Sequence, residues 1–312
     1  MNRVLVTGAG GFIGRQVVSE LLRRGDEVHA ADLASSPSSD AVWHRVDLLD
    51  QHMADELIAR IQPTHLVHLA WYAEHGKFWN SPLNLDWLKA SEELFRSFAA
   101  HGGKRAVFAG TCAEYDWTHS HLCEDATPSN PATLYGTCKN NLRQNVEAIA
   151  RMSQLSVAWG RIFYLYGPGE DPRRLIPSIL NPLLAKRPAI VRNGSHVRDF
   201  LHVQDVAQAF AAILHCPVEG IINVASGEGV KLGDVAKILA ELAGAEARPA
   251  RVEELLDADE VFLTGTSGEV APLCALDRRT WRPGPVGREL AARYDDLVHG
   301  RVPERKSWLT VV

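Results

Sequence analysis

The sequence predicts an α/β protein with a doubly wound parallel sheet and a smaller C-terminal lobe. Short apolar runs alternate with longer segments of helical spacing through the first half of the chain. The predicted strands are residues 4–7, 28–31, 65–69, 105–110 and 156–163. The predicted helices between them are residues 12–24, 54–61, 84–100 and 134–153. Strands that alternate with helices pair in parallel through crossover connections, and this pairing gives the fold class.

The second lobe is predicted from a change of composition after Tyr166. Glycine and proline crowd residues 167–188, and such a density interrupts regular elements. We expect a sheet domain over residues 1–165, a second lobe over 166–257 and an atypical tail over 258–312. Within the second lobe we expect helices at 203–215 and 231–243, and a strand at 220–225 that returns to the sheet.

Composition excludes several classes of partner. The net charge is −5, with 46% hydrophobic and 23% charged residues, so the chain lacks the basic footprint of a nucleic-acid-binding protein. No apolar run approaches the roughly 20 residues of a membrane span, and the N-terminus lacks a signal-peptide pattern. Five cysteines are scattered without a C-x-x-C pair. We therefore expect a cytoplasmic protein with no membrane partner, no nucleic-acid partner and no metal site.

A glycine-rich turn follows the first strand. The segment from Gly8 to Gly14 joins strand to helix, so glycines allow close backbone approach while the helix N-terminus offers free N–H groups to a pyrophosphate. A turn that needs only a flexible backbone is the alternative. The position of the motif favours a Rossmann-type dinucleotide site. The predicted phosphate-binding residues are Gly8, Gly11, Phe12, Ile13 and Gly14.

An acidic residue, Asp32, follows the second strand, 18 residues after Gly14. A carboxylate there accepts hydrogen bonds from the adenosine ribose and repels a 2′-phosphate, so the sequence favours NAD over NADP. The alternative is a solvated loop carboxylate. Asp47 and Leu48 are predicted, on a weaker signal, to flank the adenine.

Tyr135 and Lys139 form a Y-x-x-x-K pattern. Residues four apart share one face of a helix, so the ammonium of Lys139 is predicted to lower the pKa of the Tyr135 phenol. Such a tyrosine exchanges a proton with an alcohol or ketone. A surface pair is the alternative, but the pattern opens the helix after the fourth strand, where an open α/β sheet binds its ligand. Thr111, which follows that strand, is predicted to hydrogen-bond the same substrate oxygen.

These pieces together resemble the extended short-chain dehydrogenase/reductase family, the NAD-dependent epimerase/dehydratase group. The resemblance covers roughly residues 1–245. It implies that Tyr135 is the acid/base, that Lys139 also holds the nicotinamide ribose, and that Thr111 orients the substrate. The further matching positions are Asp32, Asp47, Leu48, His68, Leu69, Ala70, Asn84, the segment 161–169, the segment 198–203 and Asp205. Of these, Leu69 and Ala70 are predicted to contact the cofactor. We also expect a homodimer.

The resemblance further implies a nucleotide-linked sugar as substrate, because Arg198 would contact its phosphates. The alternative is that Arg198 pairs with Asp199 or Asp205. Trp71 opens an aromatic loop that either stacks on the substrate or forms a packed lid. The predicted substrate-binding residues are Trp71, Asn84, Thr111, Tyr164 and Arg198.

The choice of reaction depends on departures from the family pattern. Sugar 4,6-dehydratases carry an Asp-Glu pair after the catalytic Thr, whereas Cys112 and Ala113 stand there and Glu114 comes one position late. The sequence therefore disfavours elimination. The segments 111–117 (T-C-A-E-Y-D-W) and 71–74 (W-Y-A-E) resemble those of the subgroup that contains 4-ketoreductases of deoxysugar nucleotides, and this resemblance implies such a reductase as the first candidate. The alternatives are a nucleotide-sugar 4-epimerase, a reductase of a non-nucleotide carbonyl compound and a non-catalytic dinucleotide sensor.

The tail, residues 258–312, resembles the end of a branched-chain aminotransferase, whose Thr-Gly-Thr turn holds the phosphate of pyridoxal phosphate. A pyridoxal site also needs a Schiff-base lysine and the rest of that fold, so we expect no pyridoxal activity. We expect a strand at 261–263 and a helix at 285–299 packed on the second lobe. The residues predicted to pack are Val286, Leu290, Tyr294 and Leu297. The alternative is an appendage left by a gene fusion.

Overall fold

A computed structural model describes residues 2–34, 40–187, 189, 191 and 193–244, together with four short strands between residues 262 and 280. The chain divides into one unit over residues 1–246 and a second over 247–312. The first unit holds all the helices described below and every candidate site residue.

The strands of the first unit are β1 Arg3–Thr7, β2 Glu27–Asp32, β3 Val42–Arg45, β4 His65–His68, β5 Arg105–Thr111, β6 Ser156–Ile162, β7 Tyr164–Tyr166, β8 Val197–His202, β9 Gly220–Val224 and β10 Gly229–Lys231. The helices are α1 Phe12–Arg23, α2 Gln51–Ile61, α3 Leu83–Ala100, α4 Leu134–Ser153, α5 Leu175–Leu184, α6 Val203–His215 and α7 Leu232–Leu242. Short 3₁₀ helices lie at Phe78–Asn80 and Cys112–Glu114.

Seven of these strands form one sheet in the order β3-β2-β1-β4-β5-β6-β9. Every neighbouring pair is parallel. All seven residues of β5 are buried, as expected for a central strand covered on both faces. Two apolar cores result, one around Phe95, Phe108 and Trp159, and the other around Val107 and Phe210. The predicted α/β fold class with a doubly wound parallel sheet is therefore confirmed.

The crossover geometry places the carboxyl ends of β1, β4 and β5 along one edge of the sheet. The strand order reverses beside β1, and that switch point is where open α/β sheets bind ligands. The sequence missed β3 and the small sheet β10-β8-β7, in which β7 and β8 pair in parallel. It also missed α5, whose Pro177 sits in the first turn, where a missing N–H costs little.

The second unit contains two antiparallel strand pairs. The first joins β11 Phe262–Gly265 to β12 Glu269–Pro272, and the second joins β13 Ala275–Leu276 to β14 Arg279–Thr280. The strand predicted at 261–263 overlaps β11. The helix predicted at 285–299, with its packing residues, lies outside the described residues, and the predicted domain boundaries stay predictions. Within the described part of the chain, no helix is both long and apolar enough to cross a membrane.

Candidate active site

The glycine turn joins β1 directly to α1. Gly8 has φ +67°, and a Cβ there would lie 2.8 Å from the amide nitrogen of Ala70, so glycine lets the end of β4 approach. A Cβ on Gly14 would lie 2.0 Å from the Gly8 carbonyl oxygen, which explains the close packing of α1 on the turn. Gly11 is the N-cap of α1, and no side chain caps the helix. The first N–H groups of α1, from Phe12 to Gly14, are therefore suited to an anion such as a pyrophosphate.

Asp32 ends β2 beside this turn. Its Oδ2 accepts a hydrogen bond from the Gly10 amide at 2.9 Å, which fixes the carboxylate next to the glycine turn. The turn and the carboxylate together fit a dinucleotide. By contrast, Asp47 Oδ1 accepts from the Leu49 amide at 3.0 Å, and Leu48 is buried in the core. Contacts from Asp47 and Leu48 to an adenine stay predictions, as do those from Leu69 and Ala70 to the cofactor.

Thr111 and Tyr135 meet where β5 ends and α4 begins. The Thr133 hydroxyl caps α4 by accepting from the Gly136 amide at 3.1 Å, and Tyr135 lies in the first turn. Burial raises the pKa of the half-buried Tyr135 phenol above its usual 10, and the neighbouring Thr111 hydroxyl partly counteracts this shift. The two hydroxyl groups are thus close enough to contact one substrate oxygen.

Lys139 lies one helical turn further along α4 and is 2% exposed. Its Nζ donates to the Ala109 carbonyl oxygen at 3.0 Å and lies 3.9 Å from the centroid of the Trp71 ring. Burial lowers the pKa of Lys139 to about 7. The sequence predicted that Lys139 lowers the pKa of Tyr135, whereas in the structure the ammonium is held by the strand-end carbonyl and the indole face, and burial governs the phenol.

The aromatic loop after β4 packs against Tyr135. Phe78, Trp79 and Trp71 make edge contacts with the phenol ring at centroid distances of 4.9, 5.9 and 6.4 Å. Asn84 is fully buried; its Oδ1 accepts from Trp71 Nε1 at 2.9 Å and its Nδ2 donates to the Phe78 carbonyl at 2.7 Å. The packed-lid alternative matches these contacts. Substrate binding by Trp71 and Asn84 stays a prediction, and both side chains hold the loop together.

Arg198, on β8, lies near two aromatic rings that contact each other. Its guanidinium carbon is 5.1 Å from the centroid of Trp117 and 5.4 Å from that of Tyr164. In the described part of the chain no ion pair joins Arg198 to Asp199, whose carboxylate accepts from the Ser226 and Gly227 amides at 2.8 Å each. Among the described ion pairs, none joins Arg198 to Asp205.

A buried ion pair lies beneath Thr111. Glu114 Oε2 accepts from Arg161 Nε at 2.8 Å, and both side chains are fully buried. Glu114 Oε1 accepts from the Thr111 amide at 2.8 Å, and both carboxylate oxygens accept from Trp159 Nε1 at 3.0 and 3.1 Å. The one-residue displacement noted in the sequence therefore directs Glu114 into the protein interior.

Sequence reasoning missed two residues of this site, Trp117 and the role of Arg161. Trp117 Nε1 donates to the Cys112 carbonyl at 3.0 Å, which connects the residue next to Thr111 with the ring that holds Arg198. A signal existed for Arg161, because an arginine inside an apolar strand requires a buried partner. The segment 111–117, which contains Trp117, contributed to the resemblance, but nothing local marked Trp117 as a neighbour of Arg198, since the two residues lie 81 positions apart on different elements.

Residues 4–225 match the model of the NAD dependent epimerase/dehydratase family. The chain belongs to this family. The match confirms the predicted family resemblance and ends before the tail, so the aminotransferase resemblance of 258–312 stays an expectation.

Three proteins illustrate how similar this chain is to known enzymes. The crystal structure of UDP-glucose 4-epimerase from Thermus thermophilus in complex with NAD matches with a TM-score of 0.70 and 30% identity, covering 80% of this chain and 86% of that one. dTDP-6-deoxy-L-talose 4-dehydrogenase (NAD(+)) of Aggregatibacter actinomycetemcomitans is 29% identical, over 72% of this chain and 84% of its own length. UDP-glucose 4-epimerase 2 of Oryza sativa subsp. japonica is 26% identical, over 78% and 70%.

Proposed function

We propose that this protein is an NAD-dependent enzyme that oxidises and reduces C4 of a nucleotide-linked sugar, with 4-epimerisation as the first candidate reaction. One observation carries the proposal: Thr111, Tyr135 and Lys139 lie together at the carboxyl end of β5. Arg198 is connected to this site through Trp117 and the Cys112 carbonyl. An acid/base pair beside a guanidinium suits a sugar carbinol attached to a diphosphate.

The residues divide the work as follows. The α1 N-terminus holds the pyrophosphate of NAD, Asp32 holds the adenosine ribose, and Lys139 holds the nicotinamide ribose. When bound, NAD supplies an acceptor and donor of hydride at the sugar carbon. Tyr135 donates its phenolic proton to the C4 oxygen during reduction and, as the phenolate, takes that proton back during oxidation, while Thr111 orients the oxygen. The positive charges of Lys139 and of bound NAD would favour the phenolate against the effect of burial. Arg198 binds the diphosphate, and its aromatic neighbours keep the guanidinium in place.

Elimination chemistry is disfavoured by the two side chains that follow Thr111. Burial raises the pKa of the Cys112 thiol to about 12, so the thiol stays protonated and cannot serve as a base near neutral pH. Glu114 is held by Arg161, Trp159 and the Thr111 amide in the interior. Epimerisation needs no further acid or base. The 4-keto sugar only has to rotate in the site, so that the hydride returns to the opposite face of C4. The two UDP-glucose 4-epimerases among the relatives support this choice.

The second candidate is the 4-ketoreductase of a deoxysugar nucleotide that the sequence favours. The relative named dTDP-6-deoxy-L-talose 4-dehydrogenase supports it, and the reaction uses the same residues at the same carbon. We also propose that the protein is a homodimer, which sedimentation velocity would test.

Product analysis separates the candidates. Purified protein with NAD and UDP-glucose should yield UDP-galactose, observed by proton NMR, with no net change in NADH absorbance. A ketoreductase would instead consume one NADH for each dTDP-4-keto-6-deoxysugar. Turnover of simple ketones but of neither nucleotide sugar would indicate the non-nucleotide reductase. NAD binding without any turnover would indicate a dinucleotide sensor and refute the proposed function.

A further inference from the structure

The ammonium of Lys139 occupies an unusual environment for a charged group. It lies inside the protein with the Ala109 carbonyl oxygen at 3.0 Å on one side and the Trp71 ring at 3.9 Å on the other. Burial disfavours the charged form of an amine. A single carbonyl cannot replace the hydration shell of an ammonium, so the indole face is the second group available to stabilise the charge.

We propose that Trp71 is a positioning residue whose indole face keeps Lys139 protonated and in place beside Tyr135. The negative face of an aromatic ring attracts a cation, and tryptophan does so most strongly. The attraction is larger in a desolvated site such as this one than at a surface. Trp71 also makes a T-shaped contact with the Tyr135 ring, at 6.4 Å between centroids, so one side chain contacts both members of the catalytic pair.

The position of the indole is itself fixed. Its Nε1 donates to Asn84 Oδ1 at 2.9 Å, and Asn84 is buried at the start of α3. Asn84 Nδ2 donates in turn to the Phe78 and Ser81 carbonyl oxygens at 2.7 and 2.8 Å. The ring face presented to Lys139 is therefore set by a helix and by the loop that covers Tyr135, which a merely space-filling side chain would not require.

Other titratable groups near Lys139 also act on its charge. Glu114, beyond the end of β5, favours the protonated form, and Lys139 in turn disfavours protonation of His68 at the end of β4. The pKa of Lys139 is lowered by burial to about 7. A contact that stabilises the charge therefore changes how much ammonium is present near neutral pH.

The test replaces Trp71 with tryptophan analogues that carry one, two or three fluorine atoms. Fluorine withdraws electron density from the ring face while nearly preserving its size, so burial of Lys139 is maintained. The pKa of Lys139 is measured in the ligand-free protein from the pH titration of its Nζ signal by NMR. We expect the pKa of Lys139 to fall stepwise with fluorine count, by about one pH unit for the trifluoro analogue.

Trp79 provides the matched control, because it belongs to the same loop and contacts Tyr135 at 5.9 Å. The same analogues at Trp79 should leave the pKa of Lys139 unchanged. An unchanged pKa with trifluoro-Trp71, or an equal fall with trifluoro-Trp79, would overturn the proposal. The catalytic relevance of the contact rests on the proposed function, whereas this measurement does not. In the active enzyme the alkaline limb of the turnover pH profile should move to lower pH with fluorine count at Trp71.

Failure of the two proposals can therefore be told apart. A stepwise fall in the pKa of Lys139 in a protein that turns over no nucleotide sugar would support the Trp71 contact and refute the proposed function. Turnover of a nucleotide sugar by a protein in which fluorination of Trp71 leaves the pKa of Lys139 unchanged would support the proposed function and refute the Trp71 contact.

Discussion

The buried pair of Glu114 and Arg161 makes a quantitative prediction about Glu114→Gln. Both side chains are fully buried, and Arg161 Nη1 is already buried without a hydrogen-bond partner among the described residues. A glutamine can still accept from the Thr111 amide and from Trp159 Nε1. It cannot both keep those bonds and accept from Arg161 Nε, and it removes the charge that compensates the guanidinium.

Breaking a buried ion pair by removing one partner costs about 3–5 kcal/mol. The free energy of unfolding of a typical protein is about 5–15 kcal/mol, so this variant should lose a large share of its stability. Urea unfolding followed by circular dichroism measures the loss at pH 7, with the slope of the transition checked against that of the parent.

Glu92→Gln is the matched control. Glu92 also pairs with an arginine, Arg96, at 2.6 Å, but the two side chains are 24% and 58% exposed. Exposed pairs contribute about 0–1 kcal/mol, so this variant should stay within about 1 kcal/mol of the parent. A Glu114→Gln variant as stable as the parent, or a Glu92→Gln variant that loses as much as Glu114→Gln, would refute this reasoning.

Three further predictions concern the cofactor and the catalytic pair. Tyr135→Phe should lower turnover by about 10²–10⁴-fold while calorimetry shows unchanged NAD affinity; near-parental turnover would remove Tyr135 as the acid/base. Asp32→Ala should weaken the preference for NAD over NADP, and a parent protein that binds NADP tenfold tighter than NAD would contradict our interpretation of this carboxylate. Lys139→Met should remove the contribution of this lysine to the rise in the free energy of unfolding between pH 7 and 10.5. Between pH 7 and 10.5 the native Lys139 has lost a proton that the unfolded chain retains, so the free energy of unfolding should rise by up to ~1.4 kcal/mol per pH unit in the parent and not in the variant.

Local sequence was sufficient for the central elements of this fold. The limits predicted for α4 and α6 agree with the structure to the residue, because long amphipathic patterns there coincide with caps such as Thr133. The strand β3 was missed because it is a four-residue edge strand in which His44 and Arg45 end the apolar pattern after two residues. The small β10-β8-β7 sheet was missed because its strands are short and depend on pairing between distant segments.

The candidate site divides in the same way. The four-residue spacing alone predicted that Tyr135 and Lys139 share one helix face. The glycine turn could be recognised from its position between a predicted strand and a predicted helix. Spacing could not show that Lys139 meets Trp71 or that Arg198 lies over Trp117, because those contacts join segments 68 and 81 residues apart in the chain. It also could not show burial, and burial reversed the expected direction of the pKa of Tyr135.

Burial of the catalytic lysine has opposing consequences for stability and for catalysis. An ammonium transferred from water to the interior destabilises the folded state at every pH below about 7, where both the native and the unfolded lysine carry the proton. The same exclusion of water strengthens each electrostatic interaction that the ammonium makes with its neighbours. Because the Ala109 carbonyl and the Trp71 ring contact the charge from fixed elements, they limit the cost without admitting water. The stability of β5, α3 and the covering loop therefore sets how much protonated Lys139 the site can hold near neutral pH.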